Sequence, residues 1–266
     1  MENVLDKIVI YPVKGLGGIS LKSSKCDMRG LANDRRYLIV DEQGQFLSQR
    51  EISTMALIET EFEDEVLTLR HGTNSISLTL SHHSSRKLEI KIWSHEFEAY
   101  LANSDIDEWL STAIGRKCHL VYMDKDIIRN KSLIKSPGNT ELSFADGYPY
   151  LILGSASMDQ LNKKLEVPVS SNRFRANLLI STEEAHEEDE WHDIMIGAAK
   201  FRIIKPCARC KVITINQQTG EQGVEPLKTL STYRKDGRKV NFGANAICLT
   251  PGEIIKVGDK IEVCKK

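Results

Sequence analysis

Two short stretches decide the fold: Ile76-Ser77-Leu78-Thr79-Leu80 and Leu88-Glu89-Ile90-Lys91-Ile92. Apolar and polar side chains alternate in each. A period of two puts every apolar residue on one face of an extended chain, the mark of a half-buried antiparallel strand. Moving outward, Ile8-Val9-Ile10, Leu178-Leu179-Ile180 and Val212-Ile213-Thr214-Ile215-Asn216 also read as strands. So does Tyr37-Leu38-Ile39-Val40, closed by the turn-like Asp41-Glu42-Gln43-Gly44. Short strands separated by turns favour barrels or sandwiches, so the expected fold class is mainly β.

Helices are few. Ser104 is placed to cap one in which Ile106, Trp109, Leu110, Ala113 and Ile114 share a face and Gly115 ends the run. Asp105, Asp107 and Glu108 lie in its first turn, where the helix dipole favours acids. Trp109 belongs to the core. A second helix is expected from Ser157 to Leu165 and a third from Pro226, a good first helical residue, with Leu227, Leu230 and Tyr233. The polar stretch Lys125–Asp146, with Pro137-Gly138-Asn139, reads as a long surface connection. The acidic run Glu183–Glu190 reads as a solvated loop and His82-His83 as a loop tip.

At 266 residues the chain has room for a full core and two domains. Its net charge of −1 gives no global field for nucleic acid or an anionic membrane, so any role for positive charge is local. Six scattered cysteines point to a reducing, cytoplasmic setting. The stretch Met1–Lys7 lacks the features of a signal peptide, and no run of about 18 apolar residues suggests a membrane span.

The chemistry concentrates in Pro206-Cys207-Ala208-Arg209-Cys210. Two thiols stand three apart, and Cys210 is flanked by Arg209 and Lys211. Fixed positive charge beside a sulfur favours the thiolate, the form that binds soft metals. A structural zinc site needs two more ligands, and Cys26, Cys118, Cys248 and Cys264 are isolated. A thioredoxin-like dithiol opens a helix, whereas both flanks here read as strands. Basic residues also precede strands at Asn33-Asp34-Arg35-Arg36 and at Asn172-Arg173-Phe174-Arg175-Ala176-Asn177. A buried arginine there needs a carboxylate or a bound anion.

The ordered set formed by Tyr11-Pro12-Val13-Lys14, Asp34-Arg35, Arg173-Phe174-Arg175-Ala176-Asn177, Cys207-Ala208-Arg209-Cys210, Glu225-Pro226-Leu227-Lys228-Thr229-Leu230 and Pro251-Gly252-Glu253 resembles the MOSC family. The resemblance is to members with an N-terminal β-barrel domain, such as mitochondrial amidoxime-reducing components and bacterial YcbX-type proteins. It implies a barrel domain over 1–120 and a MOSC domain over 121–266, two β-rich lobes with molybdenum cofactor between them. It also implies that Cys210 is the metal ligand and the catalytic position. Lys14, Arg35 and Arg175 would contact the pterin and its phosphate, with Arg209 beside the ligand and Ser155 and Asn177 as further contacts. Gly15 stands where close relatives carry Ser. These 266 residues show neither the cysteine set of the iron–sulfur domain found in some relatives nor the anchor of the mitochondrial ones, so neither is expected in this stretch. Descriptions of the family also mention pyridoxal phosphate, which needs a Schiff-base lysine, and no lysine stands out for it.

The implied reaction is two-electron reduction of an N-hydroxylated small molecule to an amine or amidine. Electrons would come from a partner protein: a reductase, flavoprotein or small redox protein. The chain shows no dinucleotide fingerprint, since Gly15-Leu16-Gly17-Gly18 precedes a short strand and not a helix. The alternative is a carrier of cofactor, or of persulfide sulfur on Cys207 or Cys210, without turnover.

Overall fold

The alternating stretches form strands because each buries one face. In the computed structural model, which describes residues 3–79, 84–132 and 139–265, Ile90 and Ile92 are buried while Glu89 is exposed. Leu80, His82-His83 and Pro137-Gly138 lie outside the described residues. The chain opens with β1 (Leu5–Ile10) and β2 (Ile19–Leu21). It continues with β3 (Tyr37–Val40), β4 (Lys87–Ile92), β5 (His95–Leu101), helix α1 (Ser104–Ile114) and β6 (His119–Tyr122). Strands β3 to β6 make one antiparallel sheet in the order β3-β6-β5-β4. All four residues of β3 are buried. Tyr37 and Ile39 face a core with Ile106 and Leu110 of α1, and Leu38 and Val40 face another with Ile90 and Phe144. A strand covered on both sides reads as a continuous apolar run, which is how Tyr37–Val40 looks in sequence. A second hairpin sheet, Glu59–Glu63, Val66–His71 and Asn74–Thr79, completes this lobe.

The second half contributes β7 (Tyr150–Gly154), α2 (Ser155–Asn162), β8 (Leu178–Ile180), β9 (Trp191–Ile196), β10 (Ala199–Ala208), α3 (Leu227–Ser231), β11 (Lys239–Cys248) and β12 (Ile261–Lys265). These strands join the first two in the path β2-β1-β8-β7-β11-β10-β9-β12. Strands from both ends of the chain therefore share one sheet. Ile8 of β1 lies opposite Leu178 of β8, and both sit in the core with Ile152, Trp191 and Phe201.

Several local expectations need correction. Helix α1 begins at Ser104, so the cap position is Asn103; Gly115 closes it in the left-handed conformation as expected. Trp109 is only partly buried against its core cluster. Helix α2 starts and stops earlier than 157–165, because the Asn162 side chain pairs with the backbone of Val169 and turns the chain. Pro226 caps α3. Val212–Asn216 is no strand: Lys211–Thr214 is a 3₁₀ turn, tied by the Thr214 hydroxyl to Lys211 O. The preceding ladder is bulged at Pro206 and ends at Ala208, so among the described residues the β-branched run after it meets no named strand, only a single bridge from Ile215 to Gln222.

Nor is Lys125–Asp146 a plain surface connection. Arg129 is buried, donating to Ser143 O and Ala145 O, and Leu142 and Phe144 are core. The acidic run is half interior: the Glu188 carboxylate is fully buried, accepts the Ser157 hydroxyl at 2.8 and 2.9 Å, and is pushed up by burial. Asp189 pairs with Arg234. No helix among the described residues is long and apolar enough to cross a membrane.

Candidate functional site

The contacts that start the site join Tyr37 to Pro12 and Lys14. Tyr37 N–H donates to Pro12 O, Lys14 N–H to Tyr37 O, and Arg35 N–H to Tyr11 O. This zips the Tyr11–Lys14 segment to the turn carrying Arg35. Asp34 is fully buried, accepts the Tyr11 N–H at 2.8 Å and pairs with Arg35 at 2.5 Å. Arg35 also donates to Asn177 Oδ1 and to Arg175 O, both at 3.1 Å. Its charge is thus neutralised inside the wall. Asn177 is equally engaged, since Nδ2 donates to Val9 O and Oδ1 also accepts the Leu151 N–H.

Arg175 differs. It follows the 3₁₀ turn Ser171–Phe174 in a left-handed conformation, φ 54°. Its guanidinium lies 4.1 Å from the Tyr11 ring, and Arg35 lies 4.8 Å from the same ring. Nη1 donates to Leu16 O at 2.7 Å, while Nη2 is buried with no partner. Burial pushes this guanidinium down to about 10. Arg209 repeats the pattern: Nη2 donates to Phe174 O at 2.7 Å, and Nε is buried without a partner.

The two thiols each have a guanidinium, though not as the sequence order suggested. Arg209 reaches back to Cys207, Nη1 to Sγ at 3.1 Å, and Arg50 reaches Cys210, Nη2 to Sγ at 3.4 Å. Lys14 is 8% exposed, its Nζ held by Phe144 O at 2.8 Å and Asp146 at 2.6 Å. Burial lowers this amine to about 8 against the opposing pull of Asp146, whose own carboxyl is held well below its ordinary range chiefly by Lys14. This is the lysine whose depressed basicity the sequence did not announce.

These side chains line one cleft of about 460 Å³ that includes Lys14, Arg35, Arg175, Asn177, Cys207, Arg209 and Cys210. Ser155 is not among the lining residues; it starts α2, and its hydroxyl accepts the Thr182 N–H at 3.1 Å. The lining holds six cationic side chains (Lys14, Arg35, Arg50, Arg175, Lys205, Arg209) and one carboxylate, Asp146. Of these, Arg50, Arg175, Lys205 and Arg209 have no carboxylate partner among the described residues. Buried N–H groups without acceptors beside unneutralised cations fit an anionic ligand, and a thiol in the same cleft fits a soft metal. Among the described residues no three His, Cys, Asp or Glu side chains gather as a metal site, so a metal here would need ligands from elsewhere. A dithiolene-bearing cofactor with a phosphate meets both demands at once.

Sequence reasoning missed Arg50, Trp93, Asp146 and Lys205. Basic residues standing before strands are visible in the sequence, whereas Arg50 lies in a loop after Leu47-Ser48-Gln49. No motif or periodicity marks this loop; only the structure shows that Gln49 is a buried polar residue whose Nε2 donates to Gly15 O at 2.6 Å and which also pairs with Gln217. It pins the Arg50 loop against both halves of the chain.

Residues 2–117 match the family described as MOSC N-terminal beta barrel domain, and residues 139–262 match the MOSC domain. Mitochondrial amidoxime-reducing component 1 of Mus musculus is 29% identical over 271 residues, covering 95% of this chain and 79% of that protein. Molybdenum cofactor sulfurase of Oryza sativa subsp. japonica is 31% identical over 261 residues, covering 90% of this chain and 32% of the sulfurase. The Homo sapiens sulfurase is 28% identical over 265 residues, and the chain spans 29% of it.

Proposed function

This chain belongs to the MOSC family, with the N-terminal barrel domain ahead of the MOSC domain, and from that premise we propose a molybdenum-cofactor-dependent reductase of N-hydroxylated small molecules. The observation that carries the reading is one cleft holding the Cys210 thiol together with four cations that lack carboxylate partners among the described residues. A bound cofactor supplies the two-electron redox chemistry; the protein supplies binding, orientation and charge. Cys210 would hold the metal. Arg175 and Arg209 would face the phosphate with their open N–H groups, while Arg35 and Asn177 hold the wall that aims them. Lys14 adds a buried amine to the cleft lining. Each turnover takes two electrons and two protons and releases the amine or amidine and water. We assign the electrons to an external redox protein. All six cysteines are unpaired, which supports a reducing, cytoplasmic setting.

A second reading is a carrier of cofactor or persulfide sulfur. The observation favouring it is that Cys207 is also in the cleft with its own guanidinium. One set of measurements separates the two. Protein from a host that makes molybdenum cofactor should carry molybdenum and pterin in equal amounts and reduce a hydroxylamine-type substrate from an artificial donor. Cys210→Ser should abolish metal retention and turnover, because a hydroxyl is a hard, weakly acidic ligand; Cys207→Ser should keep most of both. Zinc in place of molybdenum would remove the main reading. Cofactor bound without turnover would favour the carrier.

A further inference from the structure

Arg50 belongs to none of the motifs legible in the sequence, yet it is the residue that touches the Cys210 sulfur. Its guanidinium lies 4.4 Å from the Trp93 ring, close enough for a cation–π contact. The Trp93 ring meets Phe46 at 4.9 Å, and its Nε1 donates to Asp146 Oδ1 at 3.0 Å. Asp146 is in turn paired with Lys14, which Phe144 O fixes from the other side. An unbroken row of contacts therefore runs from the sulfur through Arg50, Trp93 and Asp146 to Lys14. Arg50 and Trp93 come from the N-terminal half, and the sulfur comes from the C-terminal half.

Trp93 itself is hard to explain as packing. It occupies the first position of the two-residue turn between β4 and β5, where Ile92 lies opposite His95. Its φ is 57°, and its side chain is 40% exposed. Such a position belongs to Gly, Asn or Asp, and a bulky aromatic there is strained. Neither turn chemistry nor core burial accounts for a tryptophan. The contacts with Arg50 and Asp146 do, and strain of this kind gathers at functional sites.

We propose that Arg50, braced by Trp93 and Asp146, is the positioning residue for Cys210: it fixes the sulfur's orientation and donates the hydrogen bond that tempers its electron donation to a metal. This rests on the reading that Cys210 is the metal ligand. A hydrogen bond to a ligating sulfur draws charge away from the metal and raises its potential, so outer partners tune metal sites as strongly as they hold them.

The test uses cofactor-loaded protein and reads molybdenum content, the midpoint potential of the metal and its electron paramagnetic resonance signature. Arg50→Gln should lower the potential and alter the signature, with molybdenum retention falling by roughly ten- to a hundredfold at most. Arg50→Lys should fall between wild type and Arg50→Gln. Trp93→Gly is the sharper variant. It relieves the strained turn, so its cofactor-free form should melt no lower than wild type, while potential and signature move in the same sense as in Arg50→Gln. The double variant should go no further than Arg50→Gln alone. Unchanged potential and signature in Arg50→Lys and Trp93→Gly that retain full molybdenum would overturn the inference and leave the proposed function standing. Wild-type protein that binds no molybdenum would overturn both.

Discussion

Among the described residues, Arg175 carries its charge beside one carbonyl and one aromatic face and pairs with no carboxylate. Its neighbour in the wall, Arg35, has Asp34, and the difference decides their roles. Hydrogen bonds to charged groups contribute about 1.5–3 kcal/mol, so Arg175→Ala should weaken cofactor retention by roughly ten- to a hundredfold. Arg175→Lys should recover only part, because a point charge cannot reproduce a fork. Cofactor content and melting of the cofactor-free forms check this together; an early-melting alanine variant with full cofactor would make Arg175 a structural residue. Gly15 makes a second residue-scale case. Its φ is +92°, and a Cβ there would meet Met55 Cε at 3.0 Å. The serine that the resemblance leads one to expect therefore does not suit this backbone. Gly15→Ser should cost about 1–2 kcal/mol of stability, seen as a lower melting temperature, with no gain in bound cofactor. At this scale the sequence told much about Arg175 and Cys210, whose neighbours in the chain advertise them. It told nothing about Arg50 or Asp146, because their roles come from residues distant in sequence and loops carry no periodicity to read.

At the scale of elements, period-two alternation located the strands that have one wet face, and the fully buried β3 showed as an unbroken apolar run. The errors fell where an element's neighbours decide its form. Val212–Thr214 has strand residues and no named strand beside it among the described residues, so it coils into a 3₁₀ turn, and only Ile215 forms a bridge, to Gln222. The acidic run looked solvated because like charges repel, yet Ser157 and Arg234 draw Glu188 and Asp189 inward. That inward fold also traps His186, whose Nε2 lies 2.8 Å from Gln160 Oε1 and whose ring meets Tyr233 and Phe242. Burial, with Arg234 adding repulsion, pushes its imidazole down to about 4. An unfolded imidazole takes its proton near pH 6.5, so between about 6.5 and 4 the unfolded chain binds more protons than the folded one and stability falls as pH falls. Cofactor-free protein should lose stability across this window in denaturant titrations, and His186→Gln should lose less. The difference between the two curves isolates the imidazole from Glu188, whose raised carboxyl acts in the opposite direction. Parallel curves would show that His186 takes up its proton at the same pH in the folded and unfolded states.

Across the whole molecule, a net charge of −1 hides a cleft with six cations and one carboxylate. Composition averages over the surface, and folding sorts it. The sheet shows the same sorting: β1 and β2 lie at one end of the sequence, and β8, which pairs with the other side of β1, lies well into the second half. A polypeptide leaving the ribosome therefore displays β1 as an unclaimed edge until Leu178–Ile180 has been made, and the cleft lining is incomplete until Asn245. Cutting the gene at residue 120 would orphan both sides. Unpaired edges recruit other chains, so a 121–266 fragment should aggregate when produced alone and turn soluble when a peptide of residues 3–21 is supplied in trans. A fragment that is soluble and monomeric without the peptide would show that β8 needs no such cover. On this topology the first strand made acts as a late clasp, and no half-made chain presents a complete cavity to capture a metal ahead of time.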